Sequence, residues 1–391
     1  MGGGAAGFFA AIHAAEKFPK AEIWIIEGSN KVLSKVLISG GGRCNVTNQI
    51  WQPAELAKNY PRGHIELVEP FQRFNSKHTV EWFERRGAKL KIEPDGRVFP
   101  VSNDSKTIAD ILVNEARRLG VKVLINQRVV DVKMHKNKWV VHTNTNAFES
   151  HSLAITTGSN LQMWNVLEKL GLQMVRPVPS LFSFHSSSQI LRDLAGISLE
   201  SVEVSLPKLG IKQQGAILIT HEGLSGPAIL KLSAWAAREL AEAQYHFQLK
   251  INWLADFSEQ DFALAIRQEQ QLNPKKFVQK NPVLNIPKRF WQRLCELAEI
   301  NEFRNYAEIG KKQVAKISEL IFSAKVEIVG KSTNKDEFVT AGGVDLSEID
   351  FTNFSSKKYP NLYLAGEVLN IDAITGGFNF QGAWTGGALM F

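Results

Sequence analysis

Residues 2–7, GGGAAG, place glycines at Gly2, Gly4 and Gly7 directly ahead of the apolar run FFAAIHAAEKF. This G-x-G-x-x-G spacing suits one kind of turn. The first glycine permits the bend, the second lets a pyrophosphate reach the backbone, and the third lets the next helix pack closely. A helix starting there offers free N–H groups and the positive end of its dipole to the phosphates. EIWIIE at 22–27 reads as a buried strand, and its last residue, Glu27, lies about 20 residues beyond Gly7, where a ribose-binding acid is expected. Such a turn normally receives its chain from a strand, yet only Met1 precedes Gly2. The expectation is therefore a sequence that starts at the last residue of a buried strand and stops, at GGALMF, inside a helix.

Further along, HTVEWFERR at 78–86 and NDSKTIADILVNEARRLG at 103–120 read as helices, the second with a polar cap and a terminal glycine. KVLI at 122–125, VVDVK at 129–133, WVVHT at 139–143 and LAITTG at 153–158 read as strands, the middle pair joined by the polar turn HKNK. Past Pro177 and Pro179 the pattern changes to short alternating segments such as VEVSL and AILIT. From 256 to 322 it becomes richer in helix-forming, charged sequence, as in FALAIRQEQQL and RFWQRLCELAEI. An α/β domain interrupted by an insertion of strands and helices is the expected plan.

A chain of 391 residues with 44% hydrophobic content can bury two or three cores. Its 46 basic residues face 39 acidic ones, a net charge of +7 that is only a mild bias toward anions. Two cysteines, Cys44 and Cys295, can build neither a disulfide framework nor a zinc cage. The apolar opening lacks the basic leader of a secretory signal, and Ala6 stands where myristoylation wants serine or threonine. With no apolar run long enough for a bilayer, the expectation is a cytoplasmic protein with no membrane partner.

Only one fingerprint turn occurs, but two more glycine turns follow, TTGS at 156–159 and LAGEVLN at 364–370. The second, with GGFNFQGAWTGG after it, is similar to the element that holds the ribityl chain of FAD in the two-dinucleotide-binding flavoproteins. KVLISGGGRCNVTN at 35–48, THEGLSGPAILKLS at 220–233, TAGGVDLSEID at 340–350 and AGEVLNIDAITGGFNFQGAWTGG at 365–387 together resemble one family. It comprises the bacterial NAD(P)/FAD-dependent oxidoreductases of the aminoacetone-oxidase or dehydro-bile-acid-reductase-like type, and the resemblance runs from Gly2 to the end.

The resemblance implies an α/β, Rossmann-like FAD-binding domain of the glutathione-reductase kind, carrying an inserted β-barrel and a helical cap subdomain. The implied division is 1–177 with 346–391 for FAD, 178–255 with 320–345 for the barrel, and 256–319 for the cap. By position it also implies cofactor contacts. Gly2, Gly4, Ala6 and Gly7 would hold the pyrophosphate, Glu27 the ribose and Val129 the adenine. Thr157 and Gly158 would form a turn near the cofactor, with Lys35, Arg43, Cys44 and Asn45 along it. Glu367 would meet the ribityl chain, and Gly376, Gly377, Phe378 and Asn379 the pyrimidine end of the ring, where a helix N-terminus stabilises negative charge.

Several side chains carry both a chemical and a plain reading. Cys44 could touch the flavin, but no second thiol lies near it in sequence and packing is the simpler role. His221, between a strand and the GLSGP turn, could move a proton or satisfy a backbone group; His185 is a weaker case, and Ser225 lacks a hydrolase frame. The basic stretch 273–293 has aromatics at core spacing, so solvated charge is preferred there to nucleic acid. The leading expectation is a FAD-dependent oxidoreductase with noncovalent FAD, acting between a small-molecule substrate or a transiently bound NAD(P)H and an acceptor. The alternatives are a flavin-dependent RNA-modifying enzyme and a non-enzymatic flavin-binding sensor; nothing in the sequence fixes the oligomeric state.

Overall fold

Ala5–Lys17 is helical in the computed structural model, as its alanine content and apolar spacing predict. Its Phe8, Phe9, Ile12 and Ala15 are buried among Trp82, Phe83, Leu112 and Trp384. The structure describes residues 1–332 and 339–391; Phe338 and the rest of 333–338, part of the segment expected to lead out of the insertion, lie outside the described residues. The chain divides into two units, Met1–Val178 with Val339–Phe391, and Pro179–Phe338.

The first unit is a Rossmann-like α/β structure. Trp24–Ile26 pairs in parallel with Lys122–Leu124, and Leu153–Ile155 pairs in parallel with Leu362–Leu364. Between these pairs stand Met1 and Gly2: Gly2 N–H donates to Ile26 O at 2.8 Å, and Thr156 N–H donates to Met1 O at 2.9 Å. The expected strands at 129–133 and 139–143 form as Val129–His135 and Lys138–Thr143 in an antiparallel meander with Ala147–Ser150. Lys136 and Asn137 take the left-handed conformation that the tight turn between them requires.

Helix Lys106–Arg118 joins the first helix over the sheet. Arg86 ties them together, pairing with Glu16 at 2.6 Å and Glu115 at 3.2 Å while its guanidinium lies 3.9 Å from the Trp82 ring. The last helix, Phe378–Leu389, packs backbone to backbone on the first: a Cβ at Gly387 would sit 2.8 Å from Ala6 O. Just before it, the loop 371–377 is pinned from below by residues 59–63. Ile374 N–H donates to Asn59 O at 3.0 Å, Tyr60 O–H donates to Phe378 O at 2.5 Å, and Arg62 grips Asp372 through two parallel bonds.

Where the sequence leads one to expect a barrel, the second unit has a seven-stranded antiparallel sheet. Its order is Ala324–Ile328, Phe247–Asn252, Ser198–Leu206, Ile211–Ile219, Gly223–Ser225, Phe184–His185 and Gly330–Lys331. The first and last members are consecutive in the chain, separated by Val329, whose N–H donates to His185 O at 2.9 Å. The expected helices form at Glu259–Leu272, Lys288–Leu297 and Lys311–Phe322. Strands and helices share one hydrophobic cluster, in which Trp253, Phe262 and Trp291 join Val204 and Leu249. Among the described residues no helix is long and apolar enough to cross a membrane.

Asp372 is fully buried and Arg62 nearly so, so removing the guanidinium would strand a buried charge. Arg62→Met should lower stability by about 3–5 kcal/mol, read as a fall in the urea midpoint at unchanged slope. An unchanged midpoint would show that the pair contributes nothing to the fold.

Candidate cofactor site

The glycine turn is built by close approach. A Cβ at Gly7 would lie 1.9 Å from Gly2 O and 2.7 Å from Thr156 Oγ1, so only hydrogen fits. At Gly4 the opposite holds: a Cβ there would meet nothing within 4 Å, and the backbone is extended at φ −93°. No side chain caps this helix and its first turn carries no acid. The first bond of its ladder runs from Phe8 N–H to Gly4 O at 3.1 Å, which leaves the N–H groups of Ala5, Ala6 and Gly7 outside the ladder. Open space thus faces unused donors and a positive dipole end, an arrangement that suits an anion.

Glu27 stands at the edge of this turn. Gly3 N–H donates to its Oε2 at 2.7 Å and Ser29 N–H to its Oε1 at 2.8 Å. Two backbone donors fix the carboxylate and leave lone pairs on both oxygens for a further donor. Its carbonyl accepts from Gln127 N–H at 2.8 Å, and Gly28 lies against Arg128. The strand start at Val129 is therefore brought beside Glu27.

On the other side of the turn, Gly2 touches Thr156 and Thr157. The Thr157 hydroxyl is sealed from solvent and has no hydrogen-bond partner, a situation that costs about 1–3 kcal/mol unless a ligand satisfies it. Gly158 lies 3.7 Å from Glu367 Oε2 and Gly366 lies 3.4 Å from Ala6 Cβ, each measured from a built Cβ. Lys35 Nζ pairs with Glu367 at 2.5 Å. A narrow cleft runs on from there, lined by Tyr60, Gly366, Glu367, Ile371, Asn379 and Gly382.

The far end is a laced loop. The Asn45 amide accepts from Gly377 N–H at 2.9 Å and donates to Thr47 O at 3.0 Å, and Asn48 Nδ2 donates to Gly376 O at 3.2 Å. Asn379 closes the loop on itself, accepting from Ala373 N–H at 2.9 Å and donating to Ala373 O at 3.0 Å. Gln381, one turn into the helix, accepts from Thr47 and Thr79 at 2.6 and 2.9 Å. The N–H groups of Phe378, Asn379 and Phe380 precede the first helical bond, Gln381 N–H to Gly377 O, and form a second helix start with donors outside the ladder.

Three named residues behave otherwise. Arg43 turns to Glu93, at 2.7 Å, and lies 4.1 Å over the Phe99 ring. Cys44 is fully buried, and burial pushes its thiol up to about 12, so it packs as a small apolar group. His221 belongs to the second unit, exposed on the turn between Ile211–Ile219 and Gly223–Ser225. Sequence reasoning passed over Tyr60, Arg62 and Asp372, which hold the loop; they lie in no periodic pattern, and a buried ion pair between residues so distant in the chain leaves no local signal. The residues from Gly2 to Gly158 and from Gly366 to Asn379 fit an elongated dinucleotide in a cradle that ordinary side chains would fill.

The family described as HI0933-like protein Rossmann domain matches residues 1–390. The ribosomal RNA dihydrouridine synthase of Escherichia coli is 27% identical over 98% of this chain and 94% of its own length. A 3-dehydro-bile acid delta(4,6)-reductase of Clostridium scindens is 25% identical over 100% of this chain and 96% of its own. Among solved structures, the 3-ketosteroid-delta4-(5alpha)-dehydrogenase of Rhodococcus jostii aligns over 99% of this chain and 95% of that one, with a TM-score of 0.49 and 12% identity.

Two predictions follow from the geometry. Gly7→Ala should abolish folding of the turn, whereas Gly4→Ala should leave thermal stability unchanged and weaken retention of a bound dinucleotide; calorimetry and equilibrium dialysis separate the two effects. Cys44 should resist a thiol reagent at pH 8 in the folded protein and react once the chain is unfolded. Because its folded pKa is raised, the unfolded chain ionises first as pH climbs past the ordinary thiol range, so this group lowers stability from there up to about pH 12.

Proposed function

The chain belongs to the HI0933-like family of flavin-dependent oxidoreductases, and from that membership we propose that its first unit holds FAD noncovalently and serves hydride transfer from NAD(P)H, or a small organic donor, to an acceptor. The observation that supports this most is the open space before Gly4 facing unused N–H groups; the unpartnered Thr157 hydroxyl, next to Gly2 in space, adds to it. When bound, FAD supplies a centre that accepts two electrons with a hydride and passes them on.

The chain's own residues do the rest. The N–H groups of Ala5, Ala6 and Gly7 would hold the pyrophosphate oxygens, and Glu27, already fixed by Gly3 and Ser29, would take the ribose hydroxyls. Glu367, paired with Lys35 at 2.5 Å, would accept from the ribityl chain. The laced loop 373–379 aims the N-terminus of the last helix at the pyrimidine end, where its N–H groups stabilise negative charge.

Both curated relatives, by name, saturate a carbon–carbon double bond, and we take an electron-poor double bond conjugated to a carbonyl as the acceptor. The hydride adds to the carbon β to the carbonyl and a proton to the α carbon. His221, the proton donor offered by the sequence, is exposed on the second unit, and this reading takes the proton from solvent. A second reading, favoured by the likeness to a ribosomal RNA dihydrouridine synthase along nearly the whole chain, has a uracil ring within RNA as the acceptor.

Acid precipitation of the purified protein should release FAD. Anaerobic NADH or NADPH should bleach its yellow colour, and a small unsaturated ketone or a uridine-containing RNA should restore it. Recovery of FMN would overturn the dinucleotide assignment, and a flavin that neither nicotinamide reduces would indicate a binding protein or a different donor.

A further inference from the structure

The aromatics of the basic stretch 273–293 do not all go to the core. Phe290 and Trp291 are buried, but Phe277 is 37% exposed and meets Phe303, 69% exposed, edge to face at 6.4 Å between ring centroids. The backbone holds this pair in place. Phe277 bridges antiparallel to Asn305, Val278 N–H donates to Arg304 O, and Tyr306 N–H donates to Lys276 O, both at 3.0 Å. Two large apolar rings are thus kept out in water on paired backbone, where their burial elsewhere would have been favourable.

Lysines without ion pairs stand beside them. Between Asn273 and Arg293 there is no acidic residue. Lys275 and Lys276 are exposed beside Phe277 and form no ion pair among the described residues. Lys280 Nζ lies 5.2 Å from the centre of the Phe277 ring. Arg304, whose backbone pairs with Val278, has an Nε shielded from solvent with no hydrogen-bond partner. In contrast, Arg289 and Arg293 at the other end are spent on Asp193 and Glu296. The paired segment 301–305 adds Glu302 and Arg304, and two further acids stand at the ends of the segments, Glu269 accepting from Asn273 at 2.9 Å and Glu308 from Asn305 N–H at 3.3 Å.

We propose that Phe277 and Phe303, flanked by Lys275, Lys276, Lys280 and Arg304, form a docking platform for single-stranded RNA on the second unit. This rests on the second reading above, in which the acceptor is a uracil in RNA. Unpaired bases offer faces that stack on exposed aromatics, and their phosphates pair with unneutralised lysines; this combination is what binds single strands without a fixed sequence. A duplex buries its base faces and cannot use the rings.

The test uses the FAD-loaded full chain and a fluorescent single-stranded RNA of roughly 12 nucleotides, within the usual span of such sites, with a duplex of the same length beside it. Wild type should prefer the single strand. Phe303→Ala should weaken binding about tenfold. The double variant Lys275→Ala, Lys276→Ala should do the same and reduce the slope of log affinity against log salt by about 1.4. The control pair Lys311→Ala, Lys312→Ala, exposed at the start of another helix, should change little; flavin content and urea midpoint check that each variant folds. If wild type binds and the two lysine pairs count equally, or Phe303→Ala has no effect, the platform is overturned while the RNA reading stands. If wild type binds no RNA, or binds only phosphatidylglycerol vesicles, the RNA reading falls and the platform with it.

Discussion

The cradle depends on one steric fact, that the first helix comes within backbone contact of its neighbours on two sides. At its start the missing side chain of Gly7 lets the turn close on Gly2 O and Thr156; along its flank Gly387 lets the last helix lie against Ala6. Those two approaches bring residues 2–7 and 366–379 together although most of the chain separates them. Hydrogen bonding then specifies what close packing permits: Glu27 is fixed by Gly3, Gly377 by Asn45, and Asp372 by Arg62. Polar contacts of this kind suit a dinucleotide, whose oxygens a purely apolar cleft would leave unpaired.

How much of this could be read beforehand depended on how local the signal was. The glycine spacing, the strand ending at Glu27 and the helices at 106–118 and 259–272 are statements about neighbours in sequence, and they stand in the structure. The fingerprint at 365–379 was found by resemblance, and the structure adds why its asparagine is there: Asn379 binds both backbone groups of Ala373. Arg62 and Asp372 were invisible, since a salt bridge across 310 positions has no period and no spacing. Arg43 was assigned with its neighbours in the glycine-rich loop, but its long side chain reaches Glu93 instead. The aromatics of 273–293 were read together as core because helical spacing cannot say where a helix starts; Phe277 precedes Lys288–Leu297 and lies outside it.

The two units also solve different electrostatic problems. In the first, one ion pair, Arg62 with Asp372, is buried beneath the loop 371–377, while the other charges stay nearer the surface. In the second, the helical part keeps several lysines unneutralised while its core, with Trp253, Trp291 and Phe262 at the centre, excludes water. A unit with so dry an interior can carry an uncompensated surface charge without loss of order, because its stability does not come from ion pairs.

The order in which the ribosome delivers these parts has a consequence. The first helix of the first unit and the helix Phe378–Leu389 are separated in sequence by the whole of the second unit, so the contact of Gly387 with Ala6 cannot form until the second unit has been made. At about 5–20 residues per second, the second unit emerges over roughly ten seconds or more, and it holds all the contacts of its own core. It can condense first, while the amino-terminal glycine turn waits, half assembled, for its partner. Until then the part of the first helix that faces Trp384 stays uncovered, and that interval is when the first unit is most open to chaperone capture or aggregation.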